Sequence, residues 1–313
     1  MQKLYKKIVL FIIPFIVVLM LILFLPYDKK FAYHKITGGC SIEYAYHRIV
    51  EDTTKLDIVF IGSSKTHCGV NDLLIRILYE HEYKKEITTA NISFCGTGRN
   101  LQHSIVKELF KHKKPKALVI EIRENEDPNG HISYGVIADA KDILLAPILN
   151  NKNYTKDIFN GIKSRYDYLL WGNSTDLSYH GPKYGFGPNY RNADSVYLTY
   201  FYTNKLKKLQ HKKLINDINR LPKHYLQKIV QLAHENDCQV YFLYLPSFGF
   251  TGELIQYLDF YKANGTILYP PTYFMSDHNY WSDQNHLKRN GADSLTAWLA
   301  EEMLIDLGEI KQN

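Results

Sequence analysis

Short, almost wholly apolar runs rich in β-branched residues recur along this chain, each closed by a turn signal and parted from the next by a helical stretch. The first, at 56–61, stops at Gly62-Ser63-Ser64; the others are read at 87–93, 117–122, 239–245 and 267–269. Helices are read between them at about 72–82, 101–112, 223–236 and 252–263, and a last one at about 291–307. Strands that are apolar on both faces and alternate with helices predict a mostly parallel sheet covered on both sides, a three-layer doubly wound α/β fold. Functional groups in such a fold gather at the carboxyl ends of the strands.

At 313 residues, 45% hydrophobic and 22% charged, the chain is ordinary globular material, which excludes disorder as its main state. The pattern is interrupted at about 130–220 by an insertion dense in aromatic residues, from Tyr166, Tyr168 and Trp171 to Tyr200 and Tyr202. Such residues suit sugar contact at the mouth of a site, but packing of long loops onto the sheet is favoured for most of them. The formal charge of +6 is concentrated at the start: Lys3, Lys6, Lys7, Lys29 and Lys30 against Asp28 supply four units, leaving about +2 for the remainder. Nucleic acid is therefore not an expected partner. Cys40, Cys68, Cys95 and Cys238 form no C-x-x-C pair, so neither a disulfide scaffold nor a zinc knuckle is expected. A Cys68–Cys95 disulfide is conceivable, with a buried thiol the favoured state of Cys68.

From Ile8 to Leu25 no charged or strongly polar residue interrupts the chain; with Pro26 and Tyr27 the run reaches the ~20 residues that cross a hydrocarbon layer as a helix. It is longer than a usual signal-peptide apolar region, and Tyr27-Asp28-Lys29-Lys30 offers no small-residue cleavage site. The organisation expected is a cytoplasmic 1–7, a signal anchor at 8–27, a juxtamembrane connector at 28–55 and an extracytoplasmic domain at 56–313. The protein is thus expected to be a single-pass membrane protein.

Three blocks carry candidate chemistry. In Gly62-Ser63-Ser64-Lys65-Thr66-His67, at the end of the first strand, Ser64 is placed as a nucleophile, but a serine hydroxyl is inert without a base and a group to orient that base. Trp281-Ser282-Asp283-Gln284-Asn285-His286 supplies both, because a spacing of three can join Asp283 and His286 on a turn or at the start of a helix. Asn91-Ile92-Ser93-Phe94-Cys95-Gly96 follows the second strand, where a glycine lets backbone N–H donors approach an oxyanion closely. Gly96-Thr97-Gly98 does not continue into a dinucleotide fingerprint, since position 101 is Leu; no cofactor is expected. His278, beside Asp277, is the competing base, without the three-residue spacing. A metal set drawn from Asp277, His278, Asp283 and His286 is disfavoured against plain hydrogen bonding, so no metal is expected.

In this order the blocks resemble the SGNH or GDSL-like hydrolase superfamily, with its flavodoxin-like fold. The resemblance covers roughly 56–122 and 238–307. It implies Ser64 as nucleophile with Asp283 and His286 as its partners, and backbone N–H groups of Ser64 and Gly96 as the oxyanion hole. Ser63 stands where that superfamily has aspartate. Glu121-Ile122-Arg123-Glu124-Asn125 stands where its Gly-x-Asn-Asp is expected, so Arg123 is either a substitute oxyanion or carboxylate contact or a salt-bridge partner of Glu121 or Glu124. Ser63, His67, Asn91, Arg123 and His278 are the remaining pocket candidates.

A Gly-Ser-Ser block behind an N-terminal anchor is similar to the branch that modifies cell-envelope polymers, including D-alanyl transfer and alginate-type O-acetyltransferase proteins. The implied function is a membrane-anchored serine esterase or O-acyltransferase acting on an acylated envelope glycan or related small ester. The alternative is a non-catalytic module of the same fold that binds an envelope polymer or an assembly protein.

Overall fold

The computed structural model describes residues 2–36, 40, 42–96, 98–123, 130–148, 151–210, 220–245, 247–249, 255 and 257–309. The chain opens with α1 (Gln2–Phe24), and Pro26 and Tyr27 lead from it to α2 (Lys29–His34), whose first turn is capped by the Asp28 carboxylate accepting from the Lys30 N–H. α3 (Ile42–Tyr46) runs straight into a π-helical turn, His47–Glu51. Residues 28–55, read as a connector, are therefore largely helical, and they bury Tyr33, Tyr44 and Ile49 in the main core.

Strand β1 (Ile58–Ile61) leads to α4 (Ser64–Gly69), then α5 (Asp72–Tyr83), β2 (Thr89–Asn91), α6 (Arg99–His112) and β3 (Ala117–Ile122). The insertion supplies α7 (Tyr134–Ile137), α8 (Ala140–Leu144), α9 (Tyr154–Trp171) and α10 (Ser195–Gln210). α11 (Arg220–Glu235), β4 (Gln239–Tyr244), α12 (Leu258–Asn264), β5 (Thr266–Leu268), α13 (Tyr273–Ser276) and α14 (Arg289–Glu309) complete the chain. The helix read at about 252–263 begins at Leu258; residues 250–254 lie outside the described residues.

All strand pairs are parallel, in the order β2-β1-β3-β4-β5. The alternation of side chains along each strand divides the interior in two. Val59, Ile61, Leu118, Ile120, Val240 and Phe242 face one core with α6 and α11. Ile58, Phe60, Ala117, Val119, Tyr241 and Leu243 face the other with α5 and α14. A parallel sheet with both faces covered by helices makes the fold a three-layer α/β one, and this strand order is the doubly wound order 2-1-3-4-5. The order reverses at β1, so the crevice beyond the carboxyl ends of β1 and β3 is where a ligand site is expected.

Among the described residues no helix is long and apolar enough to cross a membrane. The side chains of Ile8 and Val9, inside the apolar run read from sequence, lie outside the described ones. Of those described, Leu10, Phe11, Phe15 and Leu21 are exposed, whereas Leu23 is fully buried with Tyr134, Ala138 and Ile143.

Candidate active site

β1 ends at Ile61, and Gly62 and Ser63 turn the chain into α4, so Ser64 opens a helix at the mouth of the crevice. Ser63 is the cap, its hydroxyl accepting from the Lys65 N–H at 3.2 Å. As the first helical residue, Ser64 has a backbone N–H that lies ahead of the intrahelical ladder. The Ser64 Oγ is 2.8 Å from His286 Nε2. On the other side of the ring, His286 Nδ1 lies 2.9 and 2.8 Å from the two Asp283 carboxylate oxygens. Residues 222 apart in sequence thus form one hydrogen-bonded line of hydroxyl, imidazole and carboxylate.

The segment bearing Asp283 and His286 is a closed loop ahead of α14, not a helical turn. Trp281 and Leu287 form an antiparallel bridge, and the Ser282 N–H donates to the His286 carbonyl at 2.9 Å. Trp281 is buried, its indole N–H donating to the Phe274 carbonyl. Asp283 Oδ1 also accepts from the backbone N–H groups of Asn285 (2.8 Å) and His286 (3.0 Å). Burial by itself would raise the Asp283 carboxyl, but the bonds from His286 and Asn285 outweigh it and hold the group below the usual range. An anionic Asp283 is the form that accepts from Nδ1–H and leaves Nε2 to take a proton from Ser64.

Beneath the Ser63–Ser64 turn lies Glu121, fully enclosed on β3. Its carboxylate accepts from the Ser63 N–H at 2.7 Å, from the Ser63 hydroxyl at 2.9 Å and from the Thr66 hydroxyl at 2.7 Å. Burial would raise this carboxyl too; the charges of Arg123 and Lys65 and the bonds from Ser63 and Thr66 keep it below its ordinary value. Arg123 therefore acts on Glu121, and Glu124 lies outside the described residues. Sequence reading named Glu121 only as a salt-bridge partner. The signal was a carboxylate at an inward position of a strand otherwise apolar, Ala-Leu-Val-Ile-Glu-Ile.

Lys65 braces the same turn across the sheet, its Nζ donating to the Leu245 carbonyl at 2.9 Å and to the Ser247 hydroxyl at 3.3 Å. The Ser247 hydroxyl in turn donates to Asn285 Oδ1 at 2.7 Å, linking the Ser63–Ser64 turn to the His286 loop.

The other expected pocket residues divide. Asn91 is a strut: its amide donates to the carbonyls of Thr66 (2.9 Å) and Val70 (2.8 Å), fixing the last turn of α4 from β2. His67 is buried on α4 and packed against Gly187, whose N–H donates to the His67 carbonyl. Burial pulls the His67 pKa down to about 4, partly opposed by a bond with the Gly185 backbone, so the ring is neutral at pH 7. His278 sits exposed on the short turn His278–Tyr280, and it is His286 that meets Ser64. Cys68 is a half-buried free thiol, pushed up to about 11 by burial and by the Asp283 charge, and it is protonated at neutral pH.

The disulfide joins Cys40 to Cys95, not Cys68 to Cys95. Parallel pairing of β2 with β1 brings the 92–96 segment alongside the Gly62–Ser64 turn, with the Phe94 N–H donating to the Gly62 carbonyl. Gly96 has φ +100° and lies under the His131 ring, while a Cβ at Gly98 would fall 2.4 Å from the His131 nitrogen. Both positions require glycine.

Part of the insertion flanks this site. Buried Asp72 accepts from the N–H groups of Gly185 and Phe186 (both 3.2 Å) and of Asn91 (3.1 Å). Further along, the Arg289 N–H donates to the Asn189 carbonyl and the Ala193 N–H to that of Trp281. Segment 185–193 thus runs from α4 to the His286 loop. Among the described residues no group of three His, Cys, Asp or Glu side chains could hold a metal ion. Compared with known proteins, the sequence matches no family model and no curated protein.

Proposed function

We propose that the protein is a serine esterase or O-acyltransferase of the SGNH type, held to a membrane by residues 8–27 with most of its chain outside the cytoplasm, and acting on an acylated envelope glycan or related ester. The observation that carries the reading is the line Ser64–His286–Asp283, with contacts of 2.8 Å on both sides of the imidazole. In the first half-reaction, Ser64 Oγ bonds to the ester carbonyl carbon while its proton passes to His286 Nε2, and the carbonyl oxygen becomes an oxyanion. Backbone N–H groups of Ser64 and Gly96 are the donors assigned to that charge. The bond to the leaving oxygen then breaks, the oxygen takes the proton from Nε2, and an acyl-Ser64 remains. Water or a sugar hydroxyl attacks the acyl carbon, gives its proton to Nε2, and Ser64 is released with that proton returned. Water makes the protein an esterase; a glycan hydroxyl makes it a transferase.

The test uses the full chain in detergent micelles, treated with a fluorophosphonate and, separately, with a short-chain acyl ester. Intact mass and turnover are then compared among wild type, Ser64→Ala and His286→Ala. A covalent adduct on wild type that disappears with Ser64→Ala, and turnover lost in both variants, supports the reading. A folded wild type without adduct or turnover turns it towards a polymer-binding module.

A further inference from the structure

α9 buries one stripe and exposes another of unusual composition. Asp157, Gly161, Ser164 and Arg165 face inward, whereas Lys156, Phe159, Lys163, Tyr166 and Leu170 fall on one outward stripe at three- and four-residue spacing. Phe159 is 64% exposed and Trp171, which ends the helix, 57%. The loop before α9 adds Ile148, also exposed. A soluble surface seldom gathers aromatic and aliphatic side chains this densely. Lys156, and Lys163 paired with Asp167 at 2.6 Å, are set among them, a mix of aromatic, aliphatic and charged groups that suits a helix at the headgroup boundary of a bilayer.

The position of this face relative to the apolar run is fixed by contacts. Leu23 lies against Gly161, where a Cβ would come within 2.9 Å of its side chain. The Tyr27 hydroxyl donates to the Val136 carbonyl at 2.7 Å, its ring lies under the Arg165 guanidinium at 4.4 Å, and the rings of Tyr27 and Phe31 both meet Tyr168 of α9. α9 therefore holds the end of the apolar run and the residues just beyond it. A helix is about 10 Å across, and the headgroup layer on each side adds only several ångströms to a ~30 Å hydrocarbon core. The element that grips the end of a span is thus at lipid level.

We infer that the outward stripe of α9, with Trp171 at its end, is a lipid-contact surface that seats the domain on the headgroup layer of the bilayer. This rests on the reading of residues 8–27 as a membrane anchor. A domain held this way has two attachments, one through the span and one through α9, and is constrained in its orientation over the bilayer.

The test places the full chain in nanodiscs of phosphatidylcholine and phosphatidylglycerol, with plain or brominated acyl chains, and compares tryptophan emission. Trp171 is one of three tryptophans, the others being the buried Trp281 and the half-buried Trp298. The expected result is a loss of emission in brominated discs, up to the one-third share one of three tryptophans can carry, and its disappearance in Trp171→Phe. Equal emission in both discs, or quenching that persists in Trp171→Phe, overturns the inference. Phe15→Trp in the Trp171→Phe background separates the two readings. If it is quenched while Trp171 is not, the anchor stands and the α9 surface falls; if neither is quenched, both fall.

Discussion

Glu121 accepts hydrogen bonds from both the backbone N–H and the hydroxyl of Ser63, the residue that caps the helix opened by Ser64. The carboxylate thereby fixes the turn from which Ser64 projects, with Thr66 held one turn further on. Glu121→Gln keeps the shape but replaces an acceptor with an amide that must present one donor to this cluster of donors. A displacement of about an ångström at a reacting atom costs roughly 10²-fold in rate. The expected outcome is therefore a kcat for a short-chain ester lowered by about that factor, with KM little changed and the thermal midpoint only modestly reduced. Equal losses in kcat and folded fraction would reduce Glu121 to a packing residue.

Asp283 holds His286 by its Nδ1 side, so the carboxylate selects the tautomer whose Nε2 can accept a proton. Asp283→Asn retains the length but offers an amide that can donate to Nδ1 and turn the free lone pair the wrong way. Loss of this orientation is expected to lower kcat by roughly 10³- to 10⁴-fold while Ser64 remains in place. Single-turnover acylation should slow by the same factor, since the step affected is proton removal from Ser64. A variant that acylates at the wild-type rate would show that Asp283 only shapes the loop.

Much of this is legible in the sequence, because strand cores in a parallel sheet are written as continuous apolar runs. Ala117–Ile122 and Gln239–Tyr244 were readable nearly to the residue for that reason. The apolar run at 87–93 is longer than β2, because only Thr89–Asn91 is strand while Ile92 and Phe94 are buried beyond it. Ser64, Asp283 and His286 were legible as residue types at strand ends, and the fold supplied their meeting. What sequence withheld was set by distant partners. Asn91 looked like a pocket residue and proved to be a strut, and the partner of Cys95 came from the connector segment, which spacing does not reveal.

The Cys40–Cys95 bond ties the segment after α2 to the residue before Gly96, closing 55 residues of chain. A closure of that length restricts the unfolded chain and is worth about 2–4 kcal/mol in native domains. Cys40→Ser, or reduction of the wild type, should lower the midpoint of denaturant unfolding accordingly. It should also slow acylation, because Gly96 carries one of the assigned oxyanion donors. Unchanged stability under full reduction, verified by thiol titration, would mean that the segment is held by its other contacts, such as that of His131 with the Cys95 carbonyl.

Asp157 carries the opposite electrostatics to the site carboxylates. It is buried on the inward side of α9, where the Asn151 amide donates to it at 3.0 Å. Burial raises its pKa from an ordinary 3.8 to about 6, against the pull of Asn151 and Lys156. Between those two values the folded chain keeps a proton that the unfolded chain has released. Its contribution is therefore least costly below about pH 4, falls as pH rises and levels off above about pH 6. Asn at this position can accept the same bond without ever ionising. Asp157→Asn should stabilise the protein at pH 7.5 by roughly 1–2 kcal/mol and by close to nothing at pH 4. Melting curves of the two proteins at both pH values decide it: a gain present only at the higher pH is the signature of an ionised buried carboxylate, whereas an equal gain at both would trace to packing of α9 alone.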